Sequence, residues 1–315
     1  MTGRRILAGL IAALVLPVLL SCAPITRLAG PDISRPVLGG DHFLARDGAR
    51  LPLKSWLPKT GHPAAVVIAL HGFNDYSNFF EAPGSWLAAR GIASYAYDQR
   101  GFGAAPDHGY WPGTDALIED LGTLGALIKA RHPGVPVYLL GESMGGAVVM
   151  VAATRSPSTL AIDGIILSAP AVWGRLTMPW YQTSALWLSA HTVPGVTLTG
   201  RGLKIVASDN IEMLMALGRD PLVIKETRID AIYGLTDLMD AALEASRTLA
   251  LPTLILYGDK DEIIPREPTE RMLARLPEAG KARRKVVFYE NGYHMLLRDL
   301  QAELVWTDIA KWIGG

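Results

Sequence analysis

The sequence predicts an α/β fold: a mostly parallel, doubly wound sheet with a mainly helical cap insertion. Three observations predict it. Short apolar, β-prone runs alternate with helical patterns from about residue 65 to 168, and again from 253 to the end, and such alternation gives a parallel sheet. Leu139-Leu140-Gly141-Glu142-Ser143-Met144-Gly145-Gly146 reads as an apolar strand, a Gly-x-Ser-x-Gly turn and a helix start. From about Ala171 to Leu243 the alternation stops and no clear core strand can be read.

Taken in order, residues 1–21 read as a targeting segment. Arg4-Arg5 is a basic start, and Ile6 to Leu20 is an apolar stretch containing Pro17, short for a membrane span. It ends at Leu19-Leu20-Ser21-Cys22, which resembles a bacterial lipobox. That resemblance implies a lipoprotein signal peptide over 1–21, lipidation of Cys22, and a lipid-anchored place in a bacterial cell envelope. Ala23, in place of the aspartate associated with inner-membrane retention, favours an outer membrane where one exists. Residues 22–40, with three prolines and three glycines, read as a tether. The domain then spans 41–315. Phe43–Leu53 forms a hairpin about Asp47-Gly48. Strands are expected at Val66–Leu70, Ala93–Asp98, Val137–Leu140, Ile165–Ser168, Thr253–Tyr257 and Lys285–Tyr289, with helices at Trp86–Arg90, Thr114–Arg131, after Ser143, and at Ala302–Trp312.

The chemistry starts at Ser143. A sharp strand-to-helix turn lifts the hydroxyl clear of its neighbours, and the Met144 amide at the helix start can point at a developing oxyanion. A serine hydroxyl needs a base, and the base needs an orienting acid. Of seven histidines, only His71 and His294 leave the end of an expected core strand. His294 follows Ser143 and an acidic loop, Gly258-Asp259-Lys260-Asp261-Glu262, which is the chain order such a fold uses. Asp261 is favoured over Asp259 as the acid, with the other aspartate a turn residue bonding its own backbone. The loop His71-Gly72-Phe73-Asn74 leaves an earlier strand and offers the Phe73 amide as the second oxyanion donor.

These residues resemble the α/β-hydrolase superfamily, and within it the monoacylglycerol lipase and lysophospholipase branch. The resemblance rests on His71-Gly72-Phe73, Tyr97-Asp98-Gln99-Arg100-Gly101-Phe102-Gly103, Gly141–Gly146, Asp220-Pro221-Leu222, Gly258-Asp259-Lys260-Asp261 and Gly292-Tyr293-His294. It implies Ser143 as nucleophile, Asp261 as acid, His294 as base, and Phe73 and Met144 as oxyanion amides. It also implies hydrolysis of a monoacylglycerol or lysophospholipid-type ester with no cofactor. Phe73-Asn74-Asp75 departs from the small residue and charged pair of monoacylglycerol lipases, which bears on substrate choice. A short-chain carboxylesterase, a peptidase or amidase, and a non-catalytic lipid-binding envelope protein are the competing readings.

The cap, about 171–243, is rich in large apolar side chains, and Trp173, Trp180 and Trp187 are candidates to line an acyl tunnel. Thirty basic residues balance thirty acidic ones, so no basic excess exists to neutralise nucleic-acid phosphate. No Cys/His pattern suggests a metal site, and the lone Cys22 leaves no intramolecular disulfide.

Overall fold

The computed structural model describes residues 23–155, 160, 162–202 and 204–314. The expected signal segment and Cys22 lie outside the described residues. The elements in chain order are β1 (Val37–Leu38), β2 (His42–Leu44), β3 (Arg50–Trp56), β4 (Ala65–Leu70), α1 (Glu81–Ala88), β5 (Ile92–Tyr97), α2 (Thr114–Arg131), β6 (Val137–Glu142), α3 (Met144–Arg155), β7 (Gly164–Ser168), α4 (Trp180–Thr192), β8 (Thr197–Leu198), α5 (Ile211–Arg219), β9 (Thr227–Arg228), α6 (Ile229–Ala245), β10 (Thr253–Gly258), α7 (Arg266–Arg275), β11 (Arg284–Tyr289) and α8 (Ala302–Gly314).

Among the described residues, nine strands form one sheet in the order β1-β2-β3-β5-β4-β6-β7-β10-β11. The first three strands are antiparallel, and every pairing from β5 to β11 is parallel. Strands β4, β5, β7 and β10 are buried along their whole length, which explains why they are mostly apolar, Ser94 in β5 being a buried exception. One face packs on α2, α3 and α6 through residues such as Leu117, Leu121, Val148 and Met239. The other packs on α1 and α8 through Leu87, Val305 and Ile309. The sheet is therefore covered on both faces, as a doubly wound sheet requires.

Helix α1 begins earlier than the pattern suggests, because Pro83 falls in its first turn, where no amide partner is lost. Gly91 then stops the segment at φ 82°. A buried ion-pair clamp closes the front of the sheet. Arg100 donates to both oxygens of Asp47 and both of Asp120, joining the β2–β3 turn to α2. Burial opposes ionisation of Asp47, but Arg100 and two backbone amides outweigh it and hold its pKa at about 2. Asp120 is buried more deeply, and burial outweighs the same guanidinium and lifts its pKa to about 6.

Two segments differ from the reading of the sequence. Residues 25–38 lie along the domain instead of forming a free tether. Arg27 donates to the Trp111 carbonyl, Ile33 and Ser34 donate to that of Arg46, and β1 pairs with β2. The Pro/Gly-rich composition suppresses periodicity, yet the backbone amides still find acceptors. The insertion has two parts. Helix α6 packs against α3, and it also runs against the segment before α2, where a side chain on Gly234 would collide with Trp111. The segment before it, carrying α4, the β8–β9 ribbon and α5, stands outward. Among the described residues α4 buries only Ala190 and α5 buries none.

Candidate active site

Ser143 joins β6 to α3 with φ 53°, a left-handed conformation that costs energy for a residue with a side chain. The neighbouring glycines explain how the turn closes. A side chain on Gly141 would overlap the Gly145 backbone, and one on Gly145 would overlap the Leu70 carbonyl. The turn is pinned on both sides: the Ser143 amide donates to the Ser168 carbonyl at 2.9 Å, and its own carbonyl accepts from Ala147 and Ala171.

His294 follows β11 and Asp261 follows β10. Adjacent parallel strands end side by side, so residues far apart in sequence meet there. His294 Nδ1 lies 2.8 Å from Asp261 Oδ2. The other carboxylate oxygen accepts from the amides of Ile263 and Ile264 at 2.8 and 2.9 Å, which fixes the carboxylate plane. Burial disfavours the imidazolium. The charge and hydrogen bond of Asp261, with the charge of Glu142, outweigh burial and hold the His294 pKa above the ordinary histidine value. Asp259 points away and pairs with Arg266 at 3.0 Å. The structure thus brings Asp261, not Asp259, to the histidine, and Asp259 is held by an ion pair instead of its own turn.

The loop after β4 carries Phe73. Its shape depends on His71, which is buried. Nδ1 of His71 donates to the Gly72 carbonyl at 2.8 Å, and Nε2 accepts from the Gln99 amide at 3.0 Å. Burial drives the His71 pKa down, consistent with the neutral ring these two bonds need. A side chain on Gly72 would lie 3.4 Å from Ser143 Cβ, so the loop runs directly against the serine. Among the described residues, neither the Phe73 nor the Met144 amide donates to a protein acceptor, leaving two N–H groups beside Ser143 for an oxyanion.

Ser143 and His294 open into a cavity of about 380 Å³. Its apolar wall comes from Leu217, Val223, Leu235, Met239, Ile263 and Met295. Asn74, Asp75, Glu142, Lys225 and Arg298 add polar groups. Trp173, Trp180 and Trp187 do not line it, which corrects the expectation from composition. Trp180 is 79% exposed and Trp187 54% exposed, the latter stacked on His191, while Trp173 packs against the core. Trp180, Trp187 and His191 share one helical face of α4, both tryptophans are exposed, and none of the three lines the cavity. The insertion is tied to the Phe73 loop: Asn74 donates to Thr227 Oγ1 at 2.7 Å and Tyr76 to Asp220 Oδ2 at 2.7 Å. Asp220 also closes its own turn by accepting from Leu222.

Sequence reasoning missed Asp75, Glu142, Lys225 and Arg298 as cavity residues. The available signals were position alone: Glu142 precedes the serine, and Arg298 lies four residues past His294. Among the described residues no group of three or more His, Cys, Asp or Glu could hold a metal ion, and no helix is long and apolar enough to cross a membrane.

Serine after β6, acid after β10 and histidine after β11 is the order of the serine α/β-hydrolases, and the chain is a serine ester hydrolase of that fold. The model of the Hydrolase_4 family, described as serine aminopeptidase S33, matches residues 61–301, and the chain belongs to this family. It is 27% identical over 276 residues to the monoacylglycerol lipase of Mycolicibacterium smegmatis, covering 86% of this chain and 95% of that one. It is 26% identical over 289 residues to human monoglyceride lipase, covering 86% and 89%. The crystal structure of a soluble variant of Saccharomyces cerevisiae monoglyceride lipase in complex with a substrate analog superposes with a TM-score of 0.71, at 22% identity, over 92% of this chain and 97% of that one.

Proposed function

We propose that the protein hydrolyses esters carrying a single acyl chain, of the monoacylglycerol or lysophospholipid type, through an acyl-enzyme on Ser143. His294 takes the Ser143 proton as the hydroxyl attacks the ester carbonyl. The tetrahedral oxyanion is met by the Phe73 and Met144 amides. His294 then returns the proton to the leaving alcohol, and water hydrolyses the acyl-enzyme by the same route. Asp261 keeps the imidazole in the tautomer with Nδ1 protonated and supports its charge.

The observation that carries this reading is the composition of the cavity. An apolar wall of Leu217, Val223, Leu235, Met239, Ile263 and Met295 faces the serine, which suits an alkyl chain. Likeness to two relatives named as monoacylglycerol or monoglyceride lipases supports it. The family description favours a second reading, hydrolysis of aminoacyl amides. Such a substrate needs a carboxylate for its ammonium group. Asp75 and Glu142, the two carboxylates of the cavity lining, are both engaged by Arg298.

We also propose that the chain is a lipoprotein, cleaved after residue 21 and anchored through Cys22 in the bacterial envelope, with an outer membrane favoured. The lipobox-like Leu19-Leu20-Ser21-Cys22 supports this. The Ile25 amide donates to Asp230, so a lipid on Cys22 would be joined to the domain by a linker of about three residues, roughly 10 Å when extended. Cys22→Ser is expected to abolish incorporation of labelled fatty acid; retained labelling overturns the assignment.

The test of function is a turnover panel of long-chain monoacylglycerols, lysophospholipids, short p-nitrophenyl esters and aminoacyl amides, with Ser143→Ala as control. Preference for the long-chain single-acyl esters is the expected result. Activity on short esters alone leaves a general carboxylesterase, and preference for the amides overturns the ester reading.

A further inference from the structure

The cavity holds a second charged cluster that the serine chemistry does not use. The Arg298 guanidinium is buried. Its Nη1 lies 2.7 Å from Asp75 Oδ2, and its Nη2 donates to Glu142 Oε1 at 2.8 Å. The three residues come from three different elements that meet at the site. Asp75 belongs to the loop that carries Phe73, Glu142 ends β6 beside Ser143, and Arg298 belongs to the segment that carries His294. All three line the cavity. Asp75 Oδ2, Glu142 Oε2 and Arg298 Nε are buried with no hydrogen-bond partner among the described residues, so Arg298 holds Asp75 by ion pairing alone. Burying such ions is costly, and a well-packed apolar set of similar volume would stabilise a fold as well or better. Stability is thus a weak reason for the cluster, and its position next to the base gives it another use.

We propose that Arg298 is a positioning residue that fastens the Phe73 loop and the Ser143 strand to the His294 segment, and that the Glu142–Arg298 pair balances the field in which His294 accepts the Ser143 proton. This rests on the reading of Ser143, His294 and Asp261 given above. The charges acting on His294 are Asp261 from the loop after β10, Glu142 from β6 and Arg298 from its own segment; Asp75 and Lys225 line the same cavity, and buried Asp299 accepts from the neighbouring Tyr293 amide, with burial lifting its pKa to about 6. Burial disfavours the imidazolium; Asp261 and Glu142 favour it; Arg298 opposes them. Loss of Glu142 alone therefore unbalances the site toward neutral histidine. Loss of both members of the pair restores the balance.

The test is kcat/KM against pH on the full chain, with a short soluble p-nitrophenyl ester, whose acid limb reports the base. Glu142→Gln, close to isosteric, is expected to move that limb down by about half a pH unit or more. The double variant Glu142→Gln with Arg298→Met is expected to bring it back to within about 0.2 units of the original. Arg298→Lys keeps the charge and loses the planar fork, so the limb stays in place while kcat falls about tenfold with KM little changed. An unmoved limb in Glu142→Gln overturns the electrostatic part, whatever happens to Tm. Full kcat in Arg298→Lys overturns the positioning part. If the variants at Arg298 do not fold, Glu142→Gln decides the electrostatic part, and Asp75→Asn, which loosens the same fastening from the Phe73 side, decides the positioning part by the same kcat and KM readout. Failure of the underlying nucleophile assignment is seen separately, as turnover retained in Ser143→Ala.

Discussion

The strand ends and the outer part of the insertion face the same cavity but are built under different constraints. Around Ser143 almost every backbone position is dictated: two glycines are needed for β6, α3 and β4 to pass, the serine is strained, and its amide and carbonyl are both engaged. Across the cavity, α5 is an amphipathic helix with no fully buried residue, held by the Asn210 cap on the Met213 amide and by Leu217 against the cavity. The contrast teaches where chemistry and selectivity reside. Rigid strand ends hold reacting groups to within tenths of an ångström, whereas a lightly packed helix can change its cavity-facing residues at little cost to the fold.

Substitutions on the two sides should separate cleanly. Ser143→Ala is expected to reduce kcat by a factor on the order of 10⁴ or more while leaving Tm nearly unchanged, since only one hydroxyl is removed. Asp261→Asn is expected to lose about 10³- to 10⁴-fold through the wrong imidazole tautomer, against a change within about twofold for Asp259→Asn. Equal losses at the two aspartates would break the assignment of the acid. Leu217→Trp, which narrows the apolar wall, should cut kcat/KM for long-chain esters about tenfold and leave a short ester little affected. Trp180→Ser and Trp187→Ser, on the outward face of α4, should alter turnover of soluble esters by less than about twofold.

The pH dependence sharpens the same comparison. His294 must be neutral to accept the Ser143 proton, and its pKa is held above the ordinary histidine value. Activity should therefore fall as pH drops through an acid limb lying above about 6.5. Trp180→Ser should leave that limb in place, because α4 contributes no charge near the base.

How far the sequence could be read follows the same division. The strand–Gly-x-Ser-x-Gly–helix run is local, so periodicity and turn chemistry expose it directly. Asp261 and His294 are legible because each leaves the C-terminal end of a core strand, where the sheet must bring them together. The choice between Asp259 and Asp261 depends on which side of one loop faces β11, and that is a tertiary fact. The tryptophans of α4 mislead because composition shows that a segment is apolar without showing which face it presents; residues 180 and 187 share a face, and that face is outward. Arg298, Asp75 and Glu142 carry no local pattern, and each alone reads as a surface charge. Only the convergence of three strand ends makes them a cluster. Residues 25–38 were hidden for the opposite reason, since their bonds are made by backbone amides that no side-chain pattern reports.

The most direct measurement is to trap the acyl-enzyme. A long-chain monoacylglycerol is mixed with the protein, the reaction is quenched in acid within milliseconds, and the digested chain is mapped by mass spectrometry. The acyl group should be found on the peptide containing Ser143 and be missing from the Ser143→Ala protein, which should also be inactive. Acyl transfer to another residue, or hydrolysis of the same substrate by Ser143→Ala, would mean that the reaction runs through a different group.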